Sequence, residues 1–192
     1  MSQAIPSKLT WEHDGTPVKV TLVLDPQLAS ARGPRTVAFG LSVVCDGPQD
    51  FTLQFRLPWW LSGEPVVTVN GERQQVSASP SSLIRLRRKW EDETVHIALP
   101  KRLTSCPLPD APAAVAFMDG PEVLAGLCDE EITLYGDKEH PETMLTPDNE
   151  REWAQWLTGY RTQNQPHSVR FVPLHQVRDQ RRTVCFGIKD EP

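Results

Sequence analysis

The chain has 192 residues, a formal net charge of −5 at pH 7 and hydrophobic residues at 39% of its positions. This length can bury the core of one domain or of two small modules without a metal or disulfides. Lysines and arginines are interspersed among acids, which argues against a nucleic-acid-binding stripe, and no run of 18 apolar residues is available to span a membrane. The first residues (MSQAIP) lack the features of a signal peptide, so a cytoplasmic location is expected.

Apolar and polar residues alternate with period two through the first hundred residues, which is typical of half-buried strands. The apolar positions are Val18, Val20, Leu22 and Leu24; Val37, Phe39, Leu41 and Val43; Phe51, Leu53, Phe55 and Leu57; Val67 and Val69; Ile84 and Leu86; and Val95, Ile97 and Leu99. Turns are predicted at residues 14–15 (DG), 46–48 (DGP) and 70–71 (NG), where the backbone readily adopts positive φ angles. Strands at this spacing predict an antiparallel β-sandwich.

The composition of the sequence changes after residue 104, where prolines become frequent. Pro107, Pro109 and Pro112 interrupt the chain before new apolar runs at 113–118 and 123–127. Because prolines break regular structure, a second module or layer is predicted to begin here.

One short α-helix is predicted near residues 147–158. Thr146 is a suitable N-cap, Pro147 fits the first helical position, and acids fill the first turn. The spacing i, i+3, i+4 is shared by Trp153, Trp156 and Leu157. Such a face most simply packs a helix onto a sheet. The predicted fold class is therefore all-β, a jelly-roll-like antiparallel sandwich or two packed β-modules, with this one helix.

Four cysteines, Cys45, Cys106, Cys128 and Cys185, lie far apart and form no short metal-ligand or redox spacing. They are interpreted as free thiols that act as small buried hydrophobic residues in a reducing compartment. Two disulfides remain the alternative if the protein is exported. No metal and no cofactor are expected.

Several segments resemble the β-sandwich that follows the catalytic barrel in glycoside hydrolase family 127, the β-L-arabinofuranosidase-like enzymes. The first is 51–71 (FTLQFRLPWWLSGEPVVTVNG), which is similar to that family's R-[IL]-P-x-W corner and V-x-V-N-G hairpin. Further similar segments follow in the family's order at 84–100 (IRLRRKWEDETVHIALP), 115–127 (VAFMDGPEVLAGL) and 171–188 (FVPLHQVRDQRRTVCFGI). The chain departs from the family at Arg182 and Cys185, where tyrosines are usual.

The resemblance implies a C-terminal, non-catalytic region whose (α/α)6 barrel, with a zinc-bound cysteine nucleophile, lies elsewhere. No residue of that catalytic centre can be matched onto this sequence. The resemblance also implies two modules. Residues 5–104 would form the first β-sandwich, completed by a terminal strand at 180–190, and residues 105–179 would form a second, smaller β-module containing the helix.

An independent catalytic site is not evident in the sequence. The acidic runs at 91–93 (EDE) and 129–131 (DEE) lie where charged, solvated turns between strands are expected. The five histidines lack paired spacing, and no G-x-S-x-G motif is present. Catalytic residues are therefore not assigned.

Trp59 and Trp60 form the candidate contact site, together with Arg56 one pleat away. Neighbouring residues in an extended chain point to opposite faces, so one indole is expected to cap the core. Three roles stay open for the pair: packing against a partner domain, core burial and stacking on a sugar ring.

The function predicted from these observations is an accessory or scaffolding module of a β-L-arabinofuranosidase-like glycoside hydrolase. Its expected partner is the catalytic barrel, in the same chain or a separate one, and a homodimer and an oligosaccharide are further partners left open. The alternative is an autonomous carbohydrate-binding module, in which Trp59, Trp60, Tyr135 or Tyr160 would supply the stacking surface.

Overall fold

The computed structural model describes residues 5–24, 35–152 and 155–190, which form sixteen strands and two short 3-10 helices. The strands of the first half are β1 (Ser7–His13), β2 (Thr16–Leu24), β3 (Thr36–Arg56), β4 (Val66–Val69), β5 (Glu72–Arg73) and β6 (Leu83–Pro100). The chain divides into two compact units, residues 1–101 and 102–192. The prediction of an all-β protein is confirmed. Neither helix among these described residues is long or apolar enough to cross a lipid bilayer.

The first unit contains one six-stranded antiparallel sheet in the order β1-β2-β3-β6-β4-β5. Asp14 and Gly15, with φ of 48° and 76°, connect β1 to β2. Asn70 and Gly71, with φ of 51° and 84°, connect β4 to β5. Two successive positive φ angles are what tight two-residue hairpins require, so both predicted turns are confirmed.

The predicted turn at residues 46–48 is wrong, because β3 continues through it as one long strand. Residues 45–48 of β3 stand opposite Glu91 alone in β6, and the register shifts there. Such a bulge adds residues to one strand and bends the pair. The acidic run 91–93 consequently lies inside β6, beside the bulge, rather than in a turn between two strands.

The two halves of the bent β3–β6 pair contribute to the same core. Leu41 and Val43 from the first half of β3 belong to one buried cluster with Phe55 and Leu57, which lie at and just beyond the end of the strand. Because both halves bury their side chains in one cluster, the bent sheet folds over on itself and encloses its apolar residues. This folded sheet forms the sandwich that the alternating sequence predicts.

Trp90 occupies the middle of this core and has no exposed surface. Its Nε1 donates a 2.8 Å hydrogen bond to the carbonyl oxygen of Phe51, and the two rings stack with centroids 5.8 Å apart. The Arg88 guanidinium lies 5.5 Å from the indole centroid. Trp90 therefore ties β6 to β3 immediately beyond the bulge.

The second unit is built on an eight-stranded, mostly antiparallel sheet and a separate two-stranded sheet. Its strands are β7 (Leu103–Pro107), β8 (Ala114–Asp119), β9 (Glu122–Leu127), β10 (Thr133–Tyr135), β11 (Leu145–Pro147), β12 (Glu150–Glu152), β13 (Gln155–Leu157), β14 (Tyr160–Thr162), β15 (Arg170–Pro173) and β16 (Cys185–Lys189). The pair β10–β16 is parallel. The 3-10 helices are Pro141–Thr143 and Leu174–Gln176.

The terminal strand lies in the second unit and does not complete the first sandwich as expected. Strand β16, within the predicted segment 180–190, pairs with β8 and β10. Phe186 of β16 is fully buried, with ring centroids 5.0 Å from Phe171 and 6.1 Å from Phe117. Burial of this aromatic group holds the strand in the second core. The division between the units falls after residue 101, not after residue 104.

The helix predicted near residues 147–158 is wrong. Leu145–Pro147 forms an edge strand paired with Tyr160–Thr162, and Glu150–Glu152 pairs antiparallel with Gln155–Leu157. Pro147 is tolerated because β11 is the edge strand of its sheet, where a missing N–H is not needed. Trp153 and the side chain of Trp156 lie outside the described part of the structure.

Candidate functional site

The corner at residues 57–61 follows directly from the end of β3. Leu57 N–H donates a 2.8 Å hydrogen bond to the Ser82 carbonyl oxygen, and Pro58 then ends the ladder because it has no N–H to donate. The Pro58 carbonyl oxygen accepts from Leu61 N and Ser81 N, each at 3.4 Å. Leu57 and Leu61 are buried on either side of the turn. The corner is therefore anchored at both ends.

Trp59 and Trp60 occupy different environments in this corner. Trp60 is partly buried and packs against the core of the first unit, whereas Trp59 is 60% exposed. Arg56 is exposed at the end of β3. The structure thus leaves Trp59 and Arg56 available for contacts and places Trp60 against the core.

An apolar groove of about 420 Å³ opens beside β1 in the same unit. Leu9, Trp11 and Leu53 contribute to its lining. Leu9 is paired with buried Val20 but is itself 61% exposed, because β1 is the edge strand of the sheet. Exposed apolar surface of this kind is typical of sites where another surface docks.

The two tyrosines considered for sugar stacking lie in the second unit. Tyr160 is partly buried against the second core. Tyr135 lines an open cavity of about 610 Å³ together with Asp129, Glu130, His167 and other residues of the neighbouring loops. The Gln165 side chain holds the Tyr135 backbone, accepting from its N–H at 2.8 Å and donating to its carbonyl oxygen at 2.7 Å. Tyr135 is the better-placed of the two for contact with a ligand.

The acidic runs are not assembled into a metal centre. Among the described residues, no group of three or more His, Cys, Asp or Glu side chains is arranged to hold a metal ion. Asp129, Glu130 and Glu131 are exposed in the loop between β9 and β10. Within the run of β6, Glu93 lies 3.8 Å from Arg88 in an ion pair. The carboxylates of both runs are therefore placed as charged side chains on a surface loop and on a strand.

All four cysteines are free thiols, and the expectation that they are buried holds for Cys45 but not for the other three. Cys45 is buried, Cys128 is half-buried, and Cys106 and Cys185 are exposed. Burial raises the pKa of the Cys45 thiol, and the nearby charges of Glu93 and Asp46 raise that pKa further. Burial is also the main cause that raises the pKa of Cys128.

The rate at which each thiol reacts should follow its exposure to solvent. With a disulfide reagent such as Ellman's at pH 8, we expect two thiols, Cys106 and Cys185, to react quickly, because only the accessible thiolate is a good nucleophile. Cys45 and Cys128 should react slowly until the chain is unfolded. Stopped-flow stoichiometry with peptide mass spectrometry measures the two classes, and fast labelling of Cys45 would contradict the prediction.

The two exposed cysteines are too far apart to form a disulfide. Cys106 of β7 and Cys185 of β16 pair with Ala116 from opposite sides of β8. Two strand spacings separate their Cα atoms by about 9.5 Å, which is beyond the reach of a disulfide.

A basic surface was missed at the sequence level. Arg85, Arg87 and Lys89 alternate along β6 and are all exposed. They share one outward face with Arg56, because residues paired across two antiparallel strands lie on the same side of the sheet. The period-two spacing of cations in 85–89 (RLRRK) is the signal that could have revealed this surface.

The first unit coincides with a known family. The model of the β-L-arabinofuranosidase GH127 middle domain matches residues 1–101, just over half of the 192-residue chain. No curated protein matches the sequence.

Three solved structures share the fold over nearly the whole chain. A GH127 β-L-arabinofuranosidase from Geobacillus stearothermophilus T6 is 18% identical, with a TM-score of 0.69, over 97% of this chain and 33% of its own. A structure described as a glycoside hydrolase is 15% identical, with a TM-score of 0.65, over 94% and 34%. A GH127 β-arabinofuranosidase is 15% identical, with a TM-score of 0.63, over 96% and 34%.

The chain spans about a third of the length of these solved proteins. Their similarity extends over both units, whereas the family match covers the first unit, whose folded six-stranded sheet is described above. The chain therefore belongs to the GH127 middle-domain family.

Proposed function

We propose that this chain is a non-catalytic accessory module of a β-L-arabinofuranosidase-like glycoside hydrolase. It corresponds to the region that follows the catalytic barrel in such enzymes. It acts by packing against that barrel in the cytoplasm, whether the barrel belongs to the same chain or to a separate subunit. The observation that carries this proposal is the match of the first unit to the GH127 middle domain. Free thiols in all four cysteines fit a reducing compartment.

Trp59 is the proposed anchor of the packing surface. Tryptophan is enriched among the residues that dominate binding energy at protein interfaces, because it buries a large area with few rotatable bonds. Trp59 presents a 60% exposed indole on a corner fixed by hydrogen bonds at both ends. The apolar groove beside Leu9 adds a second surface suited to burial by the barrel.

The alternative function, carbohydrate binding, rests on two different features. Trp59 also offers a flat aromatic surface to a sugar ring. In the second unit, Tyr135 lines an open cavity with carboxylates that can accept hydrogen bonds from sugar hydroxyls. A neutral arabino-oligosaccharide is the probe that tests this alternative.

Binding to a catalytic domain tests the proposal directly. The whole chain is titrated by calorimetry against catalytic barrel domains of GH127 proteins from the same genome. We expect a saturable complex that Trp59→Ala weakens by about tenfold or more, since a central indole contributes about 2 kcal/mol or more to an interface. Leu174→Ala is the matched control, because Leu174 is an exposed apolar residue of the second unit.

Two outcomes would contradict the proposal. Saturable binding of arabino-oligosaccharides that Trp59→Ala abolishes, without any complex with a barrel, would favour the carbohydrate-binding module. Turnover of an aryl arabinofuranoside by the purified chain would show an independent enzyme. Equal weakening by Trp59→Ala and Leu174→Ala would remove Trp59 as the anchor.

A further inference from the structure

The outward surface of the ribbon formed by the second half of β3 and the first half of β6 is strongly basic. We call it the ribbon face. Its eight exposed residues are paired as Asp50 with Lys89, Thr52 with Arg87, Gln54 with Arg85, and Arg56 with Leu83. Four of these residues are cations and one is an acid, on a chain whose net charge is −5. The pairing of the two strands therefore adds Arg56 to the three alternating cations of β6 on one surface.

The single acid of the ribbon face is already engaged. Arg87 contacts both carboxylate oxygens of Asp50 through Nε and Nη2, each at 3.4 Å. One carboxylate offsets one of four cations, so a net charge of about three remains on the face. Arg85, Arg87 and Lys89 lie at alternate positions of the same strand, where like charges repel, and a bound anion would relieve that repulsion.

The opposite side of the ribbon fixes the backbone beneath these cations. Phe55, Ile84, Leu86 and Trp90 are buried in the core, and Trp90 is hydrogen-bonded to Phe51. The strands that present the cations are consequently held in place before any ligand arrives. Such preorganisation lowers the entropy that binding must overcome.

A groove of about 550 Å³ runs beside the same stretch of β6. Arg85, Arg87 and Lys89 line one side, and Gln74 and Gln75 contribute amide groups. The groove is open because β4 pairs with residues 95–98 of β6 and, in the described part of the chain, no strand pairs with residues 83–89 on that side. Amides both donate and accept hydrogen bonds, so the groove suits a ligand with hydroxyls as well as negative charges.

The spacing of the cations indicates the form of the ligand. Alternate residues of a strand are about 6.6–6.8 Å apart, so Arg85, Arg87 and Lys89 form an extended row. Arginine binds carboxylates through two parallel hydrogen bonds. An extended chain with repeated single carboxylates and neighbouring hydroxyls matches both features.

Two other partner classes fit the ribbon face less well. Protein interfaces are centred on aromatic and apolar residues, and this face offers Leu83 alone. Single-stranded nucleic acids need aromatic side chains for base stacking, and none of the eight residues is aromatic.

We propose that the ribbon face and its groove, through Arg56, Arg85, Arg87 and Lys89, bind a carboxylate-bearing, uronic-acid-containing oligosaccharide. This inference rests on the proposed role of the chain in a carbohydrate-processing enzyme. It places an acidic glycan on the accessory module, mainly on residues of β6 that are not part of the Trp59 corner proposed to pack against the barrel.

The test is titration of the whole chain with a linear oligogalacturonate, and with a neutral arabino-oligosaccharide of equal length, at two salt concentrations. We expect saturable binding of the oligogalacturonate, weaker at higher salt because the contacts are ionic. The double variant Arg85→Gln/Arg87→Gln should weaken binding by about tenfold or more. Arg178→Gln/Arg182→Gln, with the same charge change at exposed positions of the second unit, should not.

Each contrary result has a definite meaning once circular dichroism shows that both variants fold. No binding of oligogalacturonate, equal binding of the neutral sugar, equal loss in both double variants, or tighter binding of single-stranded DNA would overturn the inference. Arg85→Gln/Arg87→Gln should leave the complex with a catalytic barrel unchanged. A barrel complex without glycan binding would therefore refute this inference alone, and glycan binding without a barrel complex would refute the packing role alone.

Discussion

Replacing Trp90 with alanine should destabilise the first unit by about 3–5 kcal/mol, the range found for removing a large aromatic side chain from a packed core. Trp90 has no exposed surface, stacks on Phe51 at 5.8 Å and donates a hydrogen bond to the Phe51 carbonyl oxygen. Truncation would leave a cavity and an unpaired carbonyl group at the bend of the sheet. Urea unfolding followed by circular dichroism measures the loss.

Trp59→Ala is the matched control for this prediction. It removes the same side chain from an exposed position of the same unit, so the expected change lies within about 0.5 kcal/mol. Trp90→Phe separates packing from hydrogen bonding, because it keeps an aromatic ring but not the donor, and we expect an intermediate loss. A Trp90→Ala protein as stable as Trp59→Ala would show that Trp90 does not hold the bend.

The strands around Trp90 illustrate what the sequence could reveal. Alternation of apolar residues in β2, β3 and β6 correctly predicts strands and their buried faces, because period two is a local property. It could not reveal that β3 and β6 continue through residues 46–48 and 91–93. A DGP segment has the chemistry of a turn, and only pairing with a distant strand decides that it forms a bulge instead.

The incorrect helix has a related cause. Thr146, Pro147 and the tryptophan spacing satisfy the local rules for a helix, but those rules take no account of strand partners elsewhere in the chain. Pairing of Leu145–Pro147 with Tyr160–Thr162, and burial of Leu145, provide long-range contacts that outweigh local propensity. The same limitation misplaced the terminal strand, whose partners β8 and β10 are distant in sequence.

The candidate site, like the fold, was only partly predictable from the sequence. The sequence identified Trp59, Trp60 and Arg56, and neighbouring tryptophans in an extended chain are expected to differ in exposure. The conformation of the corner at Pro58 decides that Trp60, and not Trp59, contacts the core. That conformation depends on tertiary hydrogen bonds and is not visible in the sequence. The alternating cations of the ribbon face are visible in the sequence of β6, but adding Arg56 to them required the register of β3 against β6, since Arg56 and Arg85 lie far apart in sequence.

Replacing Gly126 with alanine should destabilise the second unit by about 1–3 kcal/mol through overpacking. A Cβ atom at this position would lie 2.4 Å from Phe186 Cζ and 3.2 Å from two ring atoms of Phe171. Both rings are fully buried and pack together at 5.0 Å, so neither can move without disturbing the core. The Gly126 backbone also exchanges two hydrogen bonds with Thr183, which resists a shift of the strand.

Gly187→Ala supplies the matched control. Gly187 lies in strand β16 of the same sheet, and the atom that an added Cβ would approach, Thr133 Oγ1, is 3.9 Å away. Alanine restricts the unfolded chain more than glycine, so this change should be neutral or stabilise by up to about 1 kcal/mol. The double variant Gly126→Ala/Phe186→Leu should recover part of the loss caused by Gly126→Ala, since leucine relieves the contact. Thermal unfolding of the three variants measures these differences, and equal stability of Gly126→Ala and Gly187→Ala would show that Phe186 does not require a glycine at position 126.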